Sequence, residues 1–445
     1  MTQPFVIVEH LKVMNITKAS LFGILAAATL LHAGTSWTLE ACLKQAAEKS
    51  LSLETARLRE QQAQVNVKQA KIGHYPTVSA NIQNTLYDHP FIETEDHYRL
   101  NLGLNGSVTL WDGGATSLNV EAKELSREAA ELSTRQTKRT VQESVLNAYM
   151  SLLLAKENLR TADYAVEVAQ AEFEYFTNLY GVGSITKKDL TQSQSNVLQK
   201  QSAKLTAELK VSTAKTTLRQ LLELPEGEEF DVAAPEINFT NPDSLPPLPE
   251  YGELQARIRA AHPGLKSDSI SVKAAQKNTK VAGKNSSISV TLGANSSTGL
   301  QAWESKGYKD QLKYGWQNSL TLGINIPIID AGATTNKVLL AQVSEAETQV
   351  GLQETAKTLE NNIEKLYLNA LSADLQWKAA VLQVEAEQEA LKVAEEQRRL
   401  GALTYTDFLS QKNSLESAQV TLNNAKYTSL LSRKLLELYQ GLLDQ

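Results

Sequence analysis

The sequence predicts a mainly α-helical chain of long coiled-coil hairpins that also contributes four β-strands to a membrane β-barrel shared between subunits. Three observations carry this. First, the stretch from Ala115 to Tyr180 contains no Gly and no Pro, which allows on the order of 100 Å of continuous helix at 1.5 Å rise per residue. An ordinary globular helix has about 11 or 12 residues, so a helix this long belongs to a coiled coil or an extended bundle. Second, the stretch occurs twice. LWDGGA (Leu110 to Ala115) matches IIDAGA (Ile328 to Ala333), and YGVGSITKKDL (Tyr180 to Leu190) matches RRLGALTYTDF (Arg398 to Phe408). Asp112/Asp330, Gly183/Gly401 and Asp189/Asp407 share one offset of about 218 residues, far longer than a solenoid period. Third, each copy is preceded by segments that alternate apolar and polar residues, the period of a half-buried strand.

Composition narrows the function. The chain has 445 residues and a net charge of −6, which argues against non-specific nucleic-acid binding. The N-terminus reads as a signal peptide over 1–36. Lys12 and Lys18 precede an apolar run from Leu21 to Leu31, and Ala33, Gly34 and Ser36 offer cleavage after Ala33 or Ser36. The competing reading is an N-terminal membrane anchor, for which the run is short. Met14 is an alternative start. The single Cys42 lies among helix formers and reads as a buried thiol. The six His show no metal-ligand spacing, and no cofactor is implied.

In order along the chain, a first repeat is expected over 37–223, a Pro-rich connection over 224–250 and a second repeat over 251–442. Leu43 to Gly73 reads as one helix. The hairpin over 76–111 sets Val78, Ala80, Ile82 and Leu86 against Ser79, Asn81, Gln83 and Thr85, and then Tyr98, Leu100, Leu102, Leu104, Val108 and Leu110 against Arg99, Asn101, Asn105, Ser107 and Thr109. The long helix follows over 112–183, with Val141, Val145, Ala148, Leu152 and Ala155 stepping by three and four as a coiled-coil seam. A shorter helix covers 184–223. The connection holds six of the chain's 11 prolines and reads as a plain linker, or as short extended pieces wrapping the bundle. The second repeat follows the same plan: helix 250–283 with a break at Pro263-Gly264, hairpin 286–328 with a loop from Gly299 to Gly315 and apolar alternation through Ile328, long helix 330–401 with an isolated Gly351, and helix 402–442.

The strand hairpins fit either a soluble sandwich or a transmembrane barrel. Aromatics at the strand ends (Tyr75, Tyr87, Tyr98, Trp111, Trp303, Tyr308, Tyr314, Trp316) favour the barrel, because interfacial belts use Trp and Tyr. Four strands cannot enclose a polar lumen, since spanning barrels start at about eight. The barrel must therefore be shared.

This arrangement resembles the TolC family of outer-membrane channel-tunnel proteins, the outer membrane efflux proteins, over Thr38 to about Gly441. The resemblance rests on the duplicated WDGGA and IDAGA junctions and on the two matched turns. It implies a homotrimer with a twelve-strand barrel in outer-membrane lipid and a helical tunnel across the periplasm. The tunnel's far end would receive substrate from an inner-membrane transporter through a periplasmic adaptor (a membrane fusion protein). It implies adaptor docking at Val182-Gly183-Ser184 and Leu400-Gly401-Ala402; those glycines also simply permit a helix reversal. It implies a pore-facing acid at Asp407, a little under two turns into its helix by count from Gly401, with Asp189 as its first-repeat equivalent. The family's second acid, one turn later, is here Ser410, which weakens the acidic ring. The plainer reading of both acids is an exposed residue favoured by the helix dipole. Arg398 and Arg399 are placed to bond neighbouring tips and hold a closed state. No phosphate-binding Gly loop, HExxH or Cys–His pairing points to catalysis. The competing function is a periplasmic adaptor-type coiled-coil protein, against which two helical repeats and two strand hairpins both argue.

Overall fold

The computed structural model describes residues 36–88, 98–225, 227, 230–233, 242–301 and 307–442. The signal-peptide segment, except Ser36, lies outside the described residues, as do Trp303 and the acidic loop after Pro90.

A short strand and a helix open the described chain. The strand β1 (Ser36–Trp37) pairs in parallel with β4 (Asp231–Val232). The helix α1 (Leu39–Lys49) starts at Thr38, whose hydroxyl accepts from the Ala41 N–H at 3.2 Å, a standard N-cap. It ends at Ser50, where ψ turns to 123° before α2 (Leu51–Ile72) begins. The single helix predicted over Leu43 to Gly73 is therefore two helices that begin earlier. Arg57 donates across the break to the Ala47 carbonyl at 3.0 Å and satisfies an acceptor that the break leaves over. The second repeat breaks at the equivalent place. There α5 (Tyr251–Ala261) meets α6 (Pro263–Gly283) at His262, and Pro263 occupies the first helical position.

The long elements follow each sheet hairpin. The strands β2 (Thr77–Leu86), β3 (Tyr98–Trp111), β5 (Ser289–Gln301) and β6 (Gln317–Asn325) form one antiparallel sheet in the order β2-β3-β5-β6. Directly paired residues lie on one face. Ala80/Leu104, Ile82/Leu102, Val108/Leu292 and Leu292/Leu322 make an apolar surface. The opposite face carries Asn81, Asn105 and Asn295 in a chain of amide hydrogen bonds, 2.7 Å from Asn105 to Asn81 and 2.5 Å from Asn295 to Asn105.

The pairing carries one irregularity, a bulge between Thr109 and Trp111 that sets Trp111 opposite Val290. Two sequence expectations change here. Pairing stops at Asn325 rather than Ile328, because β5 starts at Ser289 and leaves nothing opposite Ile326 to Ile328, and Pro327 has no N–H to donate. The expected loop from Gly299 begins later, and it holds the short helix α7 (Tyr308–Tyr314), pinned by Gln311, whose side chain accepts from the Gln301 N–H at 2.8 Å.

The long helices α3 (Ala115–Gly181) and α8 (Ala333–Arg399) have 67 residues each. Their starts are set by Asp112 and Asp330. Each carboxylate accepts from the backbone two and four residues on: Gly114 at 3.0 Å and Thr116 at 2.7 Å, then Gly332 at 3.0 Å and Thr334 at 2.9 Å. The duplicated D-x-G-A-T is thus a pair of helix starts. The helices α4 (Lys187–Leu221) and α9 (Tyr405–Tyr439), 35 residues each, return along α3 and α8.

The main core lies midway along the helices, where Val145, Leu146, Tyr149, Met150, Leu152, Leu218 and Leu430 close over Cys42. Cys42 is fully buried, and burial pushes its thiol up to about 12. The Pro-rich connection is part of this core. Phe230 and Val232 are buried in it, and the Tyr149 hydroxyl donates to the Ala233 carbonyl at 2.6 Å. Further along, Arg433 bonds the Pro246 carbonyl at 2.7 Å while forking onto Asp374 at 3.1 and 2.5 Å. A plain linker would make none of these contacts; these residues form a belt.

Candidate functional site

The ends of the long helices farthest from the sheet carry the candidate residues. Each reversal starts with a Schellman cap. Gly183 has φ of +76° with its N–H on the Tyr180 carbonyl at 3.0 Å, and the Ser184 N–H reaches the Leu179 carbonyl at 2.9 Å. Gly401 has φ of +74° with the same bonds, to Arg398 at 3.0 Å and from Ala402 to Gln397 at 2.8 Å. Val182, Gly183, Ser184, Leu400, Gly401 and Ala402 are all exposed. A Cβ added at either glycine meets nothing within 4 Å. The backbone therefore needs glycine at both turns, while the space around them is open.

The returning helices start with matching caps. In α4 the Thr186 hydroxyl donates to Asp189 at 2.7 Å and accepts from the Asp189 N–H at 3.2 Å, and the Thr186 N–H completes a capping box at 3.3 Å. In α9 the Thr404 hydroxyl donates to Asp407 at 2.6 Å and accepts from its N–H at 3.2 Å. Both acids are third residues of their helices, not residues nearly two turns in. Counting from Gly401 overstated the depth because the residues before Tyr405 form the turn. Asp407 and Ser410 are exposed, and Asp189 is half-buried.

Behind these turns a compact cluster joins the two hairpins. Glu172 on α3, whose side chain is 9% exposed, takes Arg398 of α8 at 2.9 Å and Lys412 of α9 at 3.0 Å. The Arg398 guanidinium also lies over Phe408 at 4.5 Å, Phe176 at 5.0 Å and Tyr405 at 5.4 Å from ring centres, a cation–π arrangement. The Phe176 and Tyr405 rings pack in a tilted pair with centres 4.6 Å apart. Burial, then the charge of Glu172, raises the Tyr405 phenol. Arg398 is thus engaged within its own chain. Arg399 points away and pairs with Glu396 at 2.5 Å on the surface. Sequence reasoning singled out the glycines and the acids and gave no signal for the Glu172, Phe176 and Lys412 cluster. Glu172 and Arg398 are 226 residues apart, and no motif links them.

Comparison with known proteins fixes the family. The profile of the outer membrane efflux protein family matches residues 42–223 and 254–442, well over half the chain. The chain belongs to the outer membrane efflux protein family. The outer membrane efflux protein BepC of Brucella suis is 25% identical over 427 residues, covering 91% of this chain and 87% of that one. The fold is shared with two solved channels. The CmeC outer membrane channel of Campylobacter jejuni superposes with a TM-score of 0.77 at 18% identity, over 91% of this chain and 85% of that one. The MtrE outer membrane channel of Neisseria gonorrhoeae gives 0.75 at 18% identity, over 91% and 88%. This efflux protein is therefore an outer-membrane component with a helical tunnel and barrel strands. Among its described residues no helix is long and apolar enough to cross a membrane; its sheet is the element with an apolar face of membrane-spanning length.

Proposed function

We propose that this efflux protein is the passive exit duct of a tripartite efflux or type I secretion system. Three copies would close a twelve-strand barrel, with Val78, Ile82, Leu322 and Ile324 facing outer-membrane lipid and the asparagine-bearing face lining the lumen. The observation that carries the reading is the continuity of one chain through both solvents. A sheet with segregated faces and two open edges runs directly into helices of 67 residues, about 100 Å long. Exposed Tyr75 and Trp111 at one end of the sheet, and Tyr314 and Trp316 at the other, suit the two interfaces of a bilayer.

The tip turns at Gly183 and Gly401 are the surfaces offered to a periplasmic adaptor, through which an inner-membrane transporter delivers substrate. Open space around both glycines supports close approach by another helix pair. Asp407 and Asp189 sit at that entrance, where three copies would gather like charges and attract cations. Transport needs no cofactor in this reading. A deletion strain tests it. Restoring the gene should restore export of a dye or drug, and the protein should fractionate with outer membranes as a detergent-dependent trimer. Recovery as a soluble monomer would overturn the duct.

A further inference from the structure

At the end of the sheet farthest from the long helices, β5 outruns β6. Pairing between them reaches Ser297 with Gln317 and stops, so Thr298 to Gln301 have no partner in β6. The short helix α7 takes that strand's place. The Thr298 hydroxyl donates to the Leu312 carbonyl at 2.8 Å, and the Gln301 N–H donates to the Gln311 side chain at 2.8 Å. A helix with its side chains is about 10–12 Å across, whereas sheet neighbours sit about 4.7–4.9 Å apart, so the substitution leaves a gap. That gap is a cavity of about 310 Å³.

Its walls share one chemistry. Asn101, Ser297, Gln301 and Gln317 line it from the asparagine-bearing face of the sheet, and Gln311 and Tyr314 line it from α7. Gln311 is only 5% exposed. No described residue lining the cavity carries a charge. The side chains of Asn101, Ser297, Gln301 and Gln317 make no hydrogen bond to other described residues. The first repeat builds the same corner differently. Arg99 stands about 218 residues before Gln317, the offset of the duplication, and pairs with Thr85 as Gln317 pairs with Ser297. Its guanidinium lies over the Tyr87 ring at 5.4 Å. The second repeat makes this corner neutral.

Such a lining selects a class of ligand. Pockets for drug-sized molecules are mainly apolar with a few polar groups, and here the ratio is reversed. An apolar ligand would strip water from the amides without replacing its hydrogen bonds. An ion would meet no opposite charge in the walls. A carboxamide offers two donors and an acceptor, and a hydroxyl offers one donor and an acceptor. A neutral sugar ring presents the same mixture around its edge and C–H groups on its faces. The Tyr314 ring, 70% exposed at the rim with Lys313 over one face at 5.3 Å, suits the sugar's apolar face. The volume is at the small end of ligand pockets, about 300–1,000 Å³, and fits one ring rather than a chain.

We propose that this cavity is a saccharide site, holding one neutral sugar ring of a glycan or glycoside at the outer mouth of the duct. This rests on the exit-duct reading and adds a ligand to it. Maltotriose is the probe, with the full chain in a detergent that has no sugar head group. Titration calorimetry should show saturable binding, and single channels in a planar bilayer should show brief, sugar-dependent blockades. Glucuronate and glucosamine, which carry charge on a similar ring, should bind about tenfold more weakly, because their charge finds no partner. Asn101→Leu with Gln317→Leu removes two amides that hold nothing else in place. It should weaken maltotriose binding about tenfold while the channels still conduct. Adding sugar to one chamber at a time separates the sources. More frequent blockades from the strand side assign an external glycan, and from the helix side an exported glycoside. Conducting channels with neither heat nor blockades overturn the saccharide site and leave the duct, as does binding that the double variant leaves unchanged. Saturable heat without conductance supports the site and overturns the duct.

Discussion

At the scale of single residues, the acids at the tips have a capping job that the structure shows, beside the pore role proposed for them. Asp189 and Asp407 hold the first turns of α4 and α9 through Thr186 and Thr404. Removing that hydroxyl with Thr404→Ala should cost about 1 kcal/mol of local stability, read as a lower unfolding midpoint in detergent. The proposed pore role is separable from this one. Asp407→Asn keeps a side-chain oxygen for Thr404 and removes only charge. In planar bilayers it should lower cation preference; unchanged selectivity would remove Asp407 from the pore.

His262 gives a pH dependence. It caps α6, its Nδ1 accepting from the Leu265 N–H at 3.1 Å. Burial, and then the nearby Arg139 charge, hold it near 4, below its ordinary 6.5. A depressed folded-state value means the unfolded chain binds the proton more readily. The cap therefore contributes fully above about 6.5, and its contribution is lost as pH falls toward 4. His262→Asn keeps a cap acceptor without the titration. Wild type should lose thermal stability relative to this variant between those limits, by circular dichroism; parallel curves would contradict the assignment.

At the scale of elements, what was legible depended on whether the signal was local. The long helices could be read because Gly and Pro are absent between marked ends, and the strands because the period changes from helical to two. Gly183 and Gly401 were readable because a left-handed turn selects glycine. The break at Ser50 was not readable, since serine is tolerated within helices and the break is satisfied by Arg57 one helix later. The early end of β6 depends on where β5 starts, which is a pairing fact. The Glu172 cluster joins three helices across the duplication. Truncating its hub with Glu172→Gln should cost about 1–2 kcal/mol, discounted because Arg398 and Lys412 are about a quarter exposed. Replacing both Gly183 and Gly401 with Trp should abolish transport while leaving trimers intact on native gels. Loss of the trimer would assign the glycines a structural role alone.

At the scale of the molecule, the duplication organises everything. Two copies of helix, strand hairpin, long helix and return helix place one end of each repeat in an apolar solvent and the other on the order of 100 Å away in water. The belt of Phe230, Val232 and Pro246 fixes the middle, where the sequence read first as a plain linker and second as extended pieces wrapping the bundle. Among the described residues the sheet has two unshared edges and an apolar face, which the proposed closed assembly would cover. The most direct test is electrical. The protein purified from outer membranes and added to a planar lipid bilayer should give discrete, cation-preferring conductance steps from a trimeric particle. A folded protein that inserts without conductance, or remains a monomer in aqueous buffer, would contradict the account.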